Sequence, residues 1–227
     1  MCVRPYWLFL ICTGLLAQDS PGPIQPIEDT PGLPRVLLIG DSISIGYTPP
    51  VRRLLAGKAN VHRISGNAGP SSNGVFLIDG WLGLAKWDVI HFNFGLHDLK
   101  RLADGKQQVP LDTYERYLGL IVQRLRRTGA RLVWAATTPV PEGKVSPPRV
   151  PADVLIYNAA AGRIMKQNGV AINDLYSFAL SRLREIQQPV NVHFTPSGSE
   201  LLARQVAAAI EGSLTRTAAK PLPSELP

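Results

Sequence analysis

Five short apolar runs, each followed by a longer stretch of helical periodicity, constrain this chain more than any other feature of its sequence. The runs cover residues 35–39, 61–64, 89–94, 132–136 and 170–172 and are rich in β-branched and aromatic side chains. Their length and near-continuous hydrophobicity are those of strands buried on both faces. The intervening helical patterns fall at 50–56, 75–84, 111–128 and 153–167, and two more follow at 175–186 and 196–211. Asp112 or Thr113 and Ser197 are suitable helix starts, and Gly129 and Gly169 suitable stops. Strand and helix alternating in this way predict an α/β domain built on a five-stranded parallel sheet with helices on both faces. Sites in such folds gather in the loops at the carboxyl ends of the strands. Here those loops are 40–44, 65–74, 95–98 and 137–141.

The domain is expected to span 35–212, with tails on either side. Residues 1–17 combine a basic start, a short apolar run and a break at Ala17, the pattern of a secretory signal peptide. The run is shorter than the roughly 20 apolar residues that cross a bilayer comfortably. The expectation is an exported protein, periplasmic or secreted, with no stable membrane insertion after cleavage. Residues 18–34 carry five prolines and read as a linker; residues 213–227 read as a tail. Both cysteines, Cys2 and Cys12, lie in the segment expected to be removed, which leaves no disulfide or thiol chemistry.

Composition excludes several partner classes. The chain is 45% hydrophobic and 18% charged with a formal net charge of +7, the balance of a globular protein that favours acidic partners. Its densest basic group, Arg124, Arg126, Arg127 and Arg131, sits at a helix end, where cations suit the helix dipole, and has no interleaved aromatics. No nucleic-acid partner is expected.

Motifs exclude others. Gly40 to Gly46 matches neither the dinucleotide fingerprint nor the P-loop. Ser42 does not lie in the G-x-S-x-G elbow of α/β-hydrolases. His91 and His97 have no clear third ligand, so no metal is expected, and nothing calls for a cofactor.

What the strand ends do carry is Gly40-Asp41-Ser42 after the first run, Asn67-x-Gly69 after the second and Gly95-Leu96-His97-Asp98 after the third. Val192-His193-Phe194-Thr195-Pro196 precedes the last helix. Together these resemble the SGNH, or GDSL-type, hydrolase family over most of residues 35–212. The resemblance implies a flavodoxin-like three-layer α/β/α sandwich that hydrolyses esters and thioesters, often acetyl groups on sugars. It makes Ser42 the nucleophile and His193 its base. A serine hydroxyl is a weak nucleophile until a base takes its proton, and an imidazole titrates in the right range. It also implies an oxyanion hole from the Ser42 amide, an amide of the 66–74 loop and the side chain of His97. For the loop amide Gly69 is the first choice, with Gly66, Ser72 and Asn73 as alternatives.

Two positions depart from the family pattern. His97 stands where the family has asparagine; a neutral imidazole still offers one N–H donor. A structural histidine beside Asp98 is the competing reading. Val190 stands where the family has the aspartate that orients the histidine, three residues before His193. Either a backbone carbonyl or the side-chain oxygen of the nearby Asn191 orients His193, or an acid arrives from elsewhere in the chain, giving a Ser–His dyad or an atypical triad. His62 and His91 read as packing residues, and Asp98, Asn173 and Asp174 as turn and capping residues. The expected activity is hydrolysis of a short-chain acyl ester, O-acetyl on a carbohydrate in particular, with a small-molecule or glycan ester as substrate. A non-catalytic glycan-binding protein and an O-acyltransferase on the same scaffold are the alternatives.

Overall fold

The computed structural model describes Gly22 and residues 24–215. The expected signal peptide at 1–17 and most of the expected tail lie outside the described residues. Within them, the hydrophobic runs form five strands: β1 (Arg35–Ile39), β2 (Asn60–Arg63), β3 (Val89–Phe92), β4 (Arg131–Ala135) and β5 (Ala171–Asn173). All are parallel, in the order β2-β1-β3-β4-β5. Three of the first four strands bury at least four residues each, so both sheet faces are covered.

The helices divide between the faces. On one side α1 (Ser42–Leu54) packs along α7 (Pro196–Thr215), joined by the short α5 (Leu175–Leu180) and α6 (Leu183–Ile186). On the other lie α2 (Ser71–Leu82), α3 (Leu111–Arg126) and α4 (Pro151–Gln167). This is the flavodoxin-like three-layer sandwich. Because α1 and α3 cover opposite faces, the crossover direction switches between β1 and β3. A crevice opens there at the carboxyl ends of the strands.

Four helices differ from the sequence expectation, one of them α2, which begins at Ser71 rather than residue 75. The first begins at Ser42 rather than residue 50 and runs through Pro49 and Pro50. A proline pair inside a helix removes two backbone donors, and for that reason it reads as a helix start. Here the N-cap Asp41, whose Oδ1 accepts from the Ile43 amide at 2.9 Å, sets the start eight residues earlier. The pattern at 175–186 breaks into α5 and α6 at Ser181-Arg182. The last helix continues to Thr215, past the expected domain end at 212. It is capped by Thr195, whose Oγ1 accepts from the Gly198 amide at 3.0 Å, with Pro196 in the first helical position.

The described part of the expected linker lies along the domain edge. Arg52 donates to the carbonyls of Gly22 and Gln25, and Asn60 exchanges hydrogen bonds with the backbone of Thr30. No helix among the described residues is long and apolar enough to cross a membrane.

Candidate active site

The first loop is held from beneath. Asp41 is 4% exposed and Ser44 2%. Ser44 Oγ donates to the Asp41 carbonyl at 2.8 Å. The guanidinium of Arg63, itself buried at the end of β2, donates to the carbonyls of Gly40 (2.9 Å) and Asp41 (3.2 Å) and to Ser44 Oγ (2.8 Å). Its other terminal nitrogen donates to the carbonyls of Ile64 (2.9 Å) and Gly66 (2.5 Å). One side chain thus pins the β1 loop to the β2 loop. Ser42 is left half-exposed as the first residue of α1. Its amide has no acceptor within the helix and sits at the positive end of the helix dipole.

His193 meets Ser42 from the turn before α7. Its Nε2 lies 2.9 Å from Ser42 Oγ. Its Nδ1 lies 2.8 Å from Asn191 Oδ1, and the same oxygen accepts from the His193 backbone N–H at 3.0 Å. An amide donor needs an acceptor, so the Asn191 oxygen, not its nitrogen, faces His193. The ring nitrogen that faces this oxygen must then carry the hydrogen. The other nitrogen, facing Ser42, is free to accept a proton. Val190, at the position where the resemblance expected an acid, is 52% exposed and sits at φ 49°, a left-handed conformation costly for a β-branched side chain. It makes no hydrogen bond to the imidazole; Asn191 does.

The second and third loops are tied to each other. Asp98, fully buried, accepts from both the amide (2.8 Å) and the hydroxyl of Ser71 through Oδ1. Burial pushes its carboxyl up to about 7, against the lowering effect of hydrogen bonds from Ser71 and from the backbone of Asp98 and Gly95. Gly95, at φ 149°, lies so close to Thr137 that a Cβ there would meet the threonine hydroxyl at 2.2 Å. His97 follows this turn, half-buried, with Nδ1 2.9 Å from Lys100 Nζ. Arg149 Nε donates to the Leu96 carbonyl at 2.8 Å, bracing the backbone next to His97.

Gly69 is engaged elsewhere: its amide donates to Asn67 Oδ1 at 2.8 Å, inside its own turn. The Asn73 amide is engaged as well, donating to the Pro70 carbonyl at 3.0 Å, which leaves Gly66 and Ser72 of the four candidates. Asn93 pairs internally, with Ala135 O and Thr137 Oγ1. Asp174 caps α5 through the Ser177 amide, and Asn173 lies 3.2 Å from the buried His91, whose imidazole burial pushes down to about 4. His62 pairs with Asp29 and packs edge-on against Trp87. No cluster of three or more metal-ligating side chains occurs among the described residues.

Sequence reasoning missed Arg63, Lys100 and Arg149. Arg63 had a signal: a cation closing an otherwise buried strand must find acceptors nearby. Lys100 had a weaker one, its spacing three residues after His97 on a turn. Arg149 had none, since only the fold brings it against Leu96.

The same architecture occurs in solved structures of low sequence identity. An acetyl xylan esterase, AlAXEase, superposes with a TM-score of 0.66 at 15% identity, over 78% of this chain and 99% of that one. A lipase/acylhydrolase from Enterococcus faecalis gives 0.69 at 19%, over 82% and 100%. Axe2, an acetylxylan esterase from Geobacillus stearothermophilus, gives 0.64 at 16%, over 83% and 97%. No curated protein sequence matches the chain significantly. The model of the GDSL-like lipase/acylhydrolase family matches residues 38–201, from the core of β1 into α7. The chain therefore belongs to the GDSL-like lipase/acylhydrolase family and is a carboxylic ester hydrolase.

Proposed function

We propose that this protein is an exported serine esterase that removes short acyl groups, O-acetyl above all, from carbohydrate. The observation that carries the catalytic part is the relay from Asn191 Oδ1 through His193 to Ser42 Oγ, with contacts of 2.8 and 2.9 Å. Ser42 Oγ attacks the acyl carbon while His193 Nε2 takes its proton. The charge that develops on the acyl oxygen is met by the Ser42 amide at the start of α1, an amide of the 65–74 loop and the His97 imidazole. His193 then gives its proton to the departing alcohol. Water repeats the sequence to release the acid and free Ser42.

Asn191 does one of the two tasks of a triad acid. It holds the productive tautomer but brings no negative charge to steady the imidazolium. In a serine protease, exchanging the acid for its amide costs about 10⁴ in turnover, mainly through the wrong tautomer. Here the amide oxygen faces Nδ1, so that error does not arise. The acetyl-carbohydrate part rests on the names of two structural neighbours, both esterases of acetylated xylan. Export rests on residues 1–17 of the sequence.

The test is turnover of p-nitrophenyl acetate, then acetate release from acetylated xylan against esters of longer acids. Ser42→Ala is expected to lower kcat by at least about 10³-fold. Equal rates for wild type and Ser42→Ala would remove the esterase reading. A preference for long acyl chains would remove the acetyl assignment and leave the chemistry.

A further inference from the structure

The histidine at 97 sets a chemical problem that an asparagine in its place would not. A carboxamide nitrogen always carries hydrogens, so it can always donate. A neutral imidazole carries one, on either nitrogen, and only the correct choice makes it a donor toward the oxyanion. Some group must make that choice, and the geometry identifies it. Lys100 Nζ lies 2.9 Å from His97 Nδ1. An ammonium has three donors and no acceptor, so at this contact Nδ1 must be the acceptor and the hydrogen must sit on Nε2. The surroundings brace the backbone that carries the ring. Leu96 is clamped by Arg149 at 2.8 Å, Gly95 is pressed against Thr137, and Leu99 N donates to the Gly95 carbonyl at 3.0 Å to close the turn.

We propose that Lys100 is a positioning residue: by donating to Nδ1 it selects the Nε2–H tautomer of His97 and so makes that imidazole a donor for the acyl oxygen. This rests on the esterase reading for its purpose, but not for its chemistry. The local field agrees with it. Burial pushes the His97 value down, Asp41 pushes it up, and Lys100, Arg149 and His193 push it down again, the net effect being downward. The ring is thereby kept neutral near neutral pH, the state in which the tautomer matters. The pair is also compact in sequence, His97 and Lys100 three residues apart on one turn, so the selector travels with the group it selects.

Long-range proton–nitrogen NMR on the histidine-labelled protein reads which ring nitrogen carries the hydrogen. The His97 signal is assigned by its loss in His97→Asn. The wild type is expected to show Nε2–H, and Lys100→Met a mixture of both forms. An Nδ1–H form in the wild type, or an unchanged tautomer in Lys100→Met, overturns the proposal.

Kinetics supply the second arm, with p-nitrophenyl acetate as the substrate. Lys100→Met is expected to lower kcat about tenfold, part of the 10²–10³-fold that loss of a whole oxyanion donor costs, with KM changed less than about twofold. Lys100→Arg, which keeps a donor at that place, should recover most of the loss. In a His97→Asn background, Lys100→Met should add nothing, because an asparagine has no tautomer to select. The same tenfold loss on both backgrounds would assign Lys100 to the fold or to the substrate instead. Failure of the esterase reading is seen separately: Ser42→Ala would match the wild type while the NMR result stood.

Discussion

Ser42 and His193 meet across 2.9 Å, yet the two sides of that contact are built differently. The serine stands on a loop whose neighbours are buried and cross-tied. Arg63 reaches five acceptors in the first two loops, and Asp98 joins the second loop to the third. The histidine hangs from an exposed turn held mainly by its own residues: Asn191 to His193, Asn191 N to the Gln188 carbonyl, and Gln188 N to the His193 carbonyl. That turn even tolerates Val190 in a left-handed conformation. A serine placed by sheet topology needs many distant parts to agree. A histidine oriented by its own turn needs only a few residues.

Four measurements separate the serine side from the histidine side. The largest effect belongs to the buried side. Asp98 has its carboxyl raised from an ordinary 3.8 to about 7, so its ionisation opposes folding. Stability from this group is full below about pH 4 and is lost as pH rises through about 7. By linkage the loss is on the order of 4 kcal/mol across that window. Urea unfolding of wild type and Asp98→Asn at a series of pH values should give two curves that diverge in this direction. His91, pushed down to about 4, slopes the other way in both proteins and cancels in the difference. Parallel curves would mean that Asp98 is not held in a dry site.

Next comes Arg63→Met, which leaves several buried carbonyls without donors. A loss of about 3 kcal/mol is expected, read as a lower urea midpoint, with kcat falling as the Ser42 loop loosens. If stability fell by less than about 1 kcal/mol, the serine side would not be cross-tied through Arg63.

Asn191→Ala tests the exposed side. It should lower kcat about tenfold to a hundredfold at unchanged stability, since the tautomer of His193 is no longer selected but the ring remains. Wild-type kcat in this variant would show that the turn backbone alone orients the base.

Val190→Gly gives the smallest change, a gain of about 1 kcal/mol from relief of the left-handed valine, partly offset by a looser unfolded chain. A loss of stability on thermal unfolding would mean that the Val190 side chain, close to Gly143, contributes packing that outweighs its strain.

Much of this could be read from the residues in order, for a physical reason. Strands buried on both faces leave a continuous apolar signal, and all five appear within two residues of the expected bounds. Ser42, Asn191 and His193 carry their chemistry in local motifs, and their meeting follows from topology: the first strand's end and the last helix's start share one edge of the sheet. What could not be read was set by distant contacts. The start of α1 was hidden because a proline pair is a stronger local signal than a single aspartate cap. The break at Ser181-Arg182 has no breaker residue. It turns α6 so that the Ile186 carbonyl accepts from Thr195 N and Oγ1, at 2.9 and 3.1 Å. The family resemblance makes Gly69 the first choice of donor, and only the folded turn shows Asn67 occupying its amide.

Asn191 and His193 lie two residues apart, and one oxygen grips both the ring and the backbone of the same histidine. The histidine and its orienting acceptor therefore form one local unit. If the turn shifts, the Oγ to Nε2 distance changes while the protonation pattern of the ring does not. Errors of reach and errors of protonation are decoupled in this design, so the segment could be moved or grafted as a unit and would need only its distance to the serine to be reset.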